Sequence, residues 1–308
     1  MVDAVLPSGL TVRPLVPGDA RAVFEVIAEQ ERTDVGAVEI EEDDLVSEWQ
    51  RPSYDLSGSS IGVLDGERIV AYAEYMGEER YDAAVLPSHR GRGIGTWLAG
   101  WVQDLARSRG VAMIGMPVPE GSVGDRLLTA LGYDVRWTSW VLRLPEGAMV
   151  EERPLPPGFQ LRKATSADHE QVWTVTEDAF LEWAVRERES FEDFAARVWQ
   201  RPGFEPWHLQ VVTAPDGQVV AVANAWNAPA DDHLDTYVSK LAVASSHRHR
   251  GLAQALLVAV FAAGRERGAT SSSLATDSRT GALSLYEKVG MRPASVWLHR
   301  AIALGPGG

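Results

Sequence analysis

Twice along this chain, apolar residues recur at three- and four-residue steps immediately after a β-rich run and a hydrophilic turn. One set is Ile94, Leu98 and Val102; the other is Leu252, Leu256 and Val260. That spacing puts each set on one face of a helix, so helices are expected over 93–109 and 251–267, each fed by a strand (81–85 and 237–243). Beyond each helix the pattern predicts a strand (111–116, 271–275), a shorter helix (124–130, 281–288) and a last strand (136–144, 296–303). Upstream, Asp65-Gly66 and Asp216-Gly217 each sit between two short β-rich runs, the usual signal of a hairpin. Each half of the chain therefore reads as strand, helical region, hairpin, long strand, turn, helix, strand, helix and terminal strand pair. This is an α/β class with a mixed sheet, α+β-like in putting its antiparallel hairpins first.

The two halves are copies of each other. The segment Val85-Leu86-Pro87-Ser88-His89-Arg90-Gly91-Arg92-Gly93-Ile94-Gly95 matches Val243-Ala244-Ser245-Ser246-His247-Arg248-His249-Arg250-Gly251-Leu252-Ala253 at an offset of 158 positions. The same offset, with no gap, takes Leu98 to Leu256, Arg107 to Arg265, Gly110 to Gly268 and Gly132 to Gly290. Internal self-similarity of this kind signals repeated structural units. A Pro- and Gly-rich acidic stretch lies between the copies. The expected organisation is a first domain over 1–147, a linker over 148–158 and a second domain over 159–308, in line with ~150 residues per domain.

Composition narrows the partners without naming one. The 308 residues include 43 acidic and 29 basic side chains, a formal net charge of −14. Such a field disfavours nucleic acid as a partner and requires any anionic cofactor to be held by local groups. With no cysteine, disulfides, thiolate metal sites and a cysteine nucleophile are excluded, and no metal is expected. The longest apolar stretch, 253–263, is interrupted by Gln254 and is far short of the ~20 residues that span a bilayer. No secretory leader is read at the amino terminus. A cytoplasmic protein without a membrane partner, monomeric or homodimeric, is the expectation.

The repeated turn carries the chemistry. The first N–H groups of a helix lack intrahelical acceptors, and the helix dipole is positive there. Glycines let that backbone curl around a ligand, forming a cradle for a diphosphate. Arg90, Arg92, Arg248 and Arg250 add local positive charge against the acidic background. Arg90-x-x-Gly93-x-Gly95 and Arg248-x-x-Gly251-x-Ala253 resemble the pyrophosphate loop of the GCN5-related N-acetyltransferase superfamily, and the resemblance covers both halves. It implies two tandem domains of that fold and acetyl-CoA as cosubstrate. The pyrophosphate would be held by the backbone of Arg90, Gly91, Arg92, Gly93, Ile94 and Gly95, and by that of Arg248, His249, Arg250, Gly251, Leu252 and Ala253. The preceding strand, with Val85 in one copy and Leu241 and Val243 in the other, would splay from its parallel neighbour to pair with pantetheine. His89 and His247 read as turn or capping residues.

The copies differ at their ends. Leu283-Ser284-Leu285-Tyr286-Glu287-Lys288-Val289-Gly290-Met291 resembles the superfamily's Leu-Tyr-x-x-x-Gly-Phe helix end. By that resemblance Tyr286 is the candidate general acid, protonating the departing thiolate; otherwise its ring packs in the core. The offset puts Leu128 opposite Tyr286, and leucine donates no proton. The second copy is therefore the expected catalytic domain, and the first a degenerate one that either binds CoA without efficient catalysis or is mainly structural. For the base, Asp235 and His233 share one side of a strand start, facing the cleft or solvated at a loop end; Glu79 falls comparably in the first copy. The acceptor is expected to be a small-molecule amine. A non-catalytic acyl-CoA-binding or sensing module, or a protein or peptide N-acetyltransferase, are the alternatives.

Overall fold

The computed structural model describes residues 5–230 and 233–305. Contacts divide the chain into two units, Met1–Ser139 together with Val296–Gly308, and Trp140–Ser295. The first unit begins with β1 (Leu10–Arg13), α1 (Ala20–Asp34), α2 (Glu42–Trp49) and α3 (Leu56–Ser59). The strands β2 (Ser60–Asp65), β3 (Arg68–Gly77) and β4 (Arg80–Val85) form an antiparallel meander. Next come α4 (Ile94–Ser108), β5 (Met113–Pro119), α5 (Val123–Ala130) and β6 (Asp134–Arg143). The second unit repeats this order with β7 (Gln160–Lys163), α6 (His169–Leu181), α7 (Phe191–Arg197) and β8 (Leu209–Thr213). It continues with β9 (Val219–Ala230), β10 (His233–Val243), α8 (Leu252–Arg265), β11 (Ala269–Asp277), α9 (Leu283–Lys288) and β12 (Arg292–Ala303).

In the first unit the strand order is β1-β2-β3-β4-β5-β12, and in the second β7-β8-β9-β10-β11-β6. The middle strands β3 and β9 are apolar almost throughout, Ile69 to Ala73 and Val219 to Ala223 being buried without alternation. Strands covered by helices on both faces have this signature. The two periodic helices supply part of that cover: Ile94, Leu98 and Val102, like Leu252, Leu256 and Val260, are all at most 1% exposed. Burying each such side chain contributes about 1.5–3 kcal/mol.

One feature departs from the pattern expected within each copy. Each copy ends in a single long strand, and the terminal pair is completed by exchange. From Val296 onward β12 belongs to the first unit, running antiparallel to β5 from Trp297↔Pro119 to Ala303↔Met113. The last residues of β6, from Trp140, belong to the second unit, where the Leu144 N–H donates to the Ser272 carbonyl at 2.9 Å. In the first unit Arg300 reaches from β12 to the Asp125 carboxylate of α5 and, at 3.1 Å, to the Tyr133 carbonyl. A single strand that does not alternate cleanly suits either sheet equally, so periodicity carries no information about which it joins.

The seating of β12 depends on a missing side chain. A Cβ placed on Gly115 would lie 2.6 Å from the Ala301 Cβ and 2.8 Å from the His299 ring. Gly115→Ala is expected to cost about 1–3 kcal/mol through overpacking, read as a lower denaturation midpoint at unchanged slope.

Candidate active site

The two turns adopt one backbone conformation. After β4 a short 3-10 turn over Pro87–His89 leads to an extended Arg90 (φ −67°, ψ 162°), a left-handed Gly91 (φ 74°), and Gly93 (φ 91°) as the N-cap of α4. After β10 the turn is Ser245–His247, with Arg248 at φ −67° and ψ 165°, His249 at φ 61°, and Gly251 (φ 80°) capping α8. A left-handed cap aims the first helical N–H groups outward as a cradle for an anion. His249 takes without glycine the conformation that Gly91 takes freely, a strain of about 1–2 kcal/mol that the sequence alignment alone gave no reason to expect.

The arginines divide by role. Arg90 makes two 2.8 Å hydrogen bonds to Asp34 at the end of α1, and Arg248 binds both oxygens of Glu182 after α6 at 2.6 and 2.8 Å. Those two guanidiniums, expected to supply positive charge to a ligand, instead tie each turn to the first helix of its unit. Arg92 and Arg250 remain exposed. The segment before β7 adds a cation that spacing did not indicate: Arg153 lies 3.9 Å from a Cβ built on Gly251, and Gln254 of α8 donates to the Glu151 carbonyl at 2.7 Å. The histidines stay in the turns, His89 Nδ1 beside Ser88 and His247 Nδ1 beside Ser246, each at 2.9 Å.

Each unit opens its sheet beside the turn. Parallel pairing of β4 with β5 is confined to Arg80↔Gly115, and that of β10 with β11 to Leu234 through Val238. Beyond those points Val85 in one unit, and Leu241 and Val243 in the other, present backbone that the neighbouring strand does not take up. In the first unit the opening is a cavity of about 380 Å³, floored by Ala83, Val85 and Met116 and reaching Gly93, Gly95 and Leu128.

Tyr286 lies on α9, 8% exposed, in the same apolar cluster as Val238 and Leu274, the last paired residues before β10 and β11 part. Burial withholds solvent from the phenolate and pushes its pKa up to about 12, so the hydroxyl keeps its proton at neutral pH. Leu128 is its counterpart in space as in register. The N–H groups of Tyr133 and Met291 donate to the carbonyls of Leu128 and Tyr286, each at 3.0 Å.

Asp235 is neither solvated nor facing an open cleft. It is 5% exposed, and the hydroxyls of Ser271 and Ser273 on β11 donate to its two oxygens. His233 Nε2 stands 3.0 Å from the Ser271 hydroxyl. The carboxylate thus clamps the paired stretch of β10 and β11, upstream of the place where they part, and no contact joins it to Tyr286 among the described residues. Glu79 is ion-paired with Arg136. The first unit instead buries Glu74, whose Oε2 accepts from Trp49 Nε1 at 2.8 Å and from the Tyr54 hydroxyl at 3.0 Å. Loss of solvent, then the neighbouring Asp82, raises its pKa to about 7.

Comparison with known proteins settles the family. The sequence model of the acetyltransferase (GNAT) family matches residues 23–121 and again 170–291. The chain belongs to the GNAT acetyltransferase family. Among its relatives is a mycothiol acetyltransferase of Salinispora tropica, 30% identical over 220 residues, covering 68% of each chain. Another, from Thermobispora bispora, is 27% identical over 284 residues, covering 89% of this chain and 92% of the relative. The fold is shared with a GCN5-related N-acetyltransferase from Sphaerobacter thermophilus (TM-score 0.72, 24% identity, 99% of this chain and 98% of that one). It is shared also with a tandem GNAT protein from the clavulanic acid biosynthesis pathway (TM-score 0.73, 16% identity, 97% and 100%). The protein is accordingly an acyltransferase with two GNAT units, a fold that binds acyl-CoA. Among the described residues no helix is long and apolar enough to cross a membrane, and no group of three or more His, Asp or Glu side chains is placed to hold a metal ion.

Glu74 provides a test of the buried charge. Its pKa is higher folded than unfolded, so folding favours the protonated form, and stability is lost as pH rises from about 4.5 through 7. Glu74→Gln is expected to flatten that loss, measured by denaturant titration across pH; an undiminished fall in stability above pH 7 would place its source elsewhere.

Proposed function

We propose that this protein is an N-acetyltransferase that moves an acetyl group from acetyl-CoA to a primary amine of a small molecule, with transfer in the second unit. It would act in the cytoplasm, where CoA thioesters are made. The observation that carries the reading is the equivalence of the two turns combined with the difference at one position, Tyr286 against Leu128. Acetyl-CoA, when bound, supplies an acyl group already activated as a thioester.

The residues suited to hold it are the backbone amides from Arg248 to Ala253 in the second unit and from Arg90 to Gly95 in the first. Leu241, Val243 and Val85 lie beside them on strand that the parallel neighbour does not pair, with Gln30 accepting from the Val85 N–H and Arg248 donating to the Val243 carbonyl. Arg250 and Arg153 in one unit, and Arg92 in the other, contribute charge at the rim. Tyr286 keeps a proton on its phenol oxygen in an apolar wall, where a departing thiolate, poorly solvated, gains most from a donor. Asp235 accepts from one serine hydroxyl of β11 at each of its two oxygens. We assign it to bracing β10 against β11 and leave deprotonation of the amine to solvent. The first unit, with its cavity and no donor at 128, binds CoA without transferring from it. The relatives named mycothiol acetyltransferase favour a small amine acceptor over a protein one.

Tyr286→Phe keeps the packing and removes the proton. It is expected to lower kcat by about 100-fold or more in a thiol-release assay, with the dissociation constant for acetyl-CoA changed less than about twofold. An unchanged kcat would remove Tyr286 from the mechanism.

A further inference from the structure

The face of β10 that looks toward α6 and α7 carries a lysine at the point where the sheet opens. The β9–β10 register shifts between Val238 and Lys240. After this bulge Leu241 and Val243 pack with the α8 cluster, whereas Ala242 packs with the cluster of Phe180 and Phe194. Lys240 Nζ lies 5.8 Å from the Phe180 ring on α6 and 5.5 Å from the Phe194 ring on α7. Among the described residues it makes no hydrogen bond and no ion pair. Its cross-strand partner is Asn224, 2% exposed, whose Nδ2 is buried without an acceptor. A buried donor left unsatisfied costs free energy; here that donor, the Asn224 Nδ2, stands across the strand from a half-buried lysine.

The charges nearby leave the lysine in excess. Arg186 binds both oxygens of Glu177 at 2.7 Å, and the Glu189 N–H adds a third hydrogen bond at 2.9 Å. Glu189 in turn accepts from Arg197 Nε at 3.0 Å. Each carboxylate already has its arginine, so the surplus positive charge of this group is Lys240. Desolvation, followed by Arg197, lowers its pKa to about 8, which leaves it mostly charged at neutral pH.

The first unit reverses the sign. The 158-residue offset places Asp82 at the position of Lys240, and its cross-strand partner is Glu74. Glu48 is nearby with Arg51, and Arg80 lies 3.2 Å from Asp82. The position that holds a lysine in the second unit thus holds a carboxyl group in the first, paired across the strand with a second one.

We infer that Lys240 and Asn224 bind the carboxylate of the acceptor amine in the second unit, so that the enzyme selects amino acids over the amines lacking that group. This rests on the acetyltransferase reading above and narrows its acceptor. The lysine contributes up to three donors and the amide two, enough for both oxygens of a carboxylate in place of the acceptors the chain does not provide.

The test uses matched probes: phenylalanine with phenethylamine, lysine with cadaverine, histidine with histamine, and β-alanine with ethylamine. Each is added to the full-length protein at neutral pH, with CoA present for the thermal shift and acetyl-CoA present for thiol release, the two measured side by side. The amino acid of at least one pair is expected to raise Tm where its amine does not. Lys240→Met, which keeps the stem, should abolish that difference, and Lys240→Arg should retain it. In turnover, Lys240→Met should raise KM for that amino acid about tenfold or more with kcat within about threefold. Equal shifts within every pair, or a preference that survives Lys240→Met, would overturn the inference. Carboxylate-dependent binding with no thiol release from any probe would uphold it and overturn the acetyltransferase reading instead.

Discussion

A parallel strand pair that separates partway along its length leaves backbone donors and acceptors without partners, and an unpaired buried amide is costly. Both units open at the same place and meet part of that cost with side chains, Gln30 accepting from the Val85 N–H and Arg248 donating to the Val243 carbonyl, each at 3.2 Å. β10 leaves β11 after Val238, and β4 leaves β5 after a single paired position. Everything functional is arranged around the opening. The turn beyond the strand caps a helix whose free N–H groups face the same side, Tyr286 lines the wall where the strands part, and the bulge precedes Lys240, which lies over Phe180 of α6 and Phe194 of α7. An extended ligand with an anionic end fits such an opening, taking strand hydrogen bonds along its length and amide hydrogen bonds at its end.

Much of this was legible in the sequence because it is local. The glycines at 93 and 251, the helical periodicity after them and the ungapped offset all act within a few turns of chain, and the structure renders them as matching dihedral angles. The replacement of Tyr286 by Leu128 was visible for the same reason, and identical hydrogen bonds at the ends of α5 and α9 bear it out as a spatial correspondence. What was not legible is what arrives from a distance. Arg90 and Arg248 looked like ligand-facing charge, yet Asp34 and Glu182, more than fifty residues upstream, claim them. Asp235 looked like a candidate base until two serines of the next strand closed on it. The exchange of β6 and β12 leaves no periodic trace, since neither strand alternates cleanly between buried and exposed positions and the choice of sheet is made by packing such as that of Gly115 against β12.

The two units also show how a duplicated frame diverges. Backbone features suited to a diphosphate are shared, because they depend on glycine, dihedral angle and helix direction rather than on side-chain chemistry. Side chains proposed to meet a thiolate or an acceptor are not shared: Tyr286 against Leu128 at one position, Lys240 against Asp82 at another. Retained backbone with altered side chains is what one working unit and one binding unit would require. The cavity of the first unit, apolar along β4 and free of a proton donor at 128, suits binding without transfer.

The central claim is that transfer belongs to the second unit alone, and paired loop variants address it most directly. Gly93→Asp and Gly251→Asp each place a branched carboxylate at a left-handed cap in an anion cradle, one per unit. Steady-state thiol release from acetyl-CoA, with folding checked by thermal denaturation, should be retained within about threefold in Gly93→Asp and fall by about 100-fold or more in Gly251→Asp, if each cradle's charge-assisted contacts contribute the few kcal/mol usual for such groups. Full turnover in Gly251→Asp, or its loss in a folded Gly93→Asp, would contradict the account.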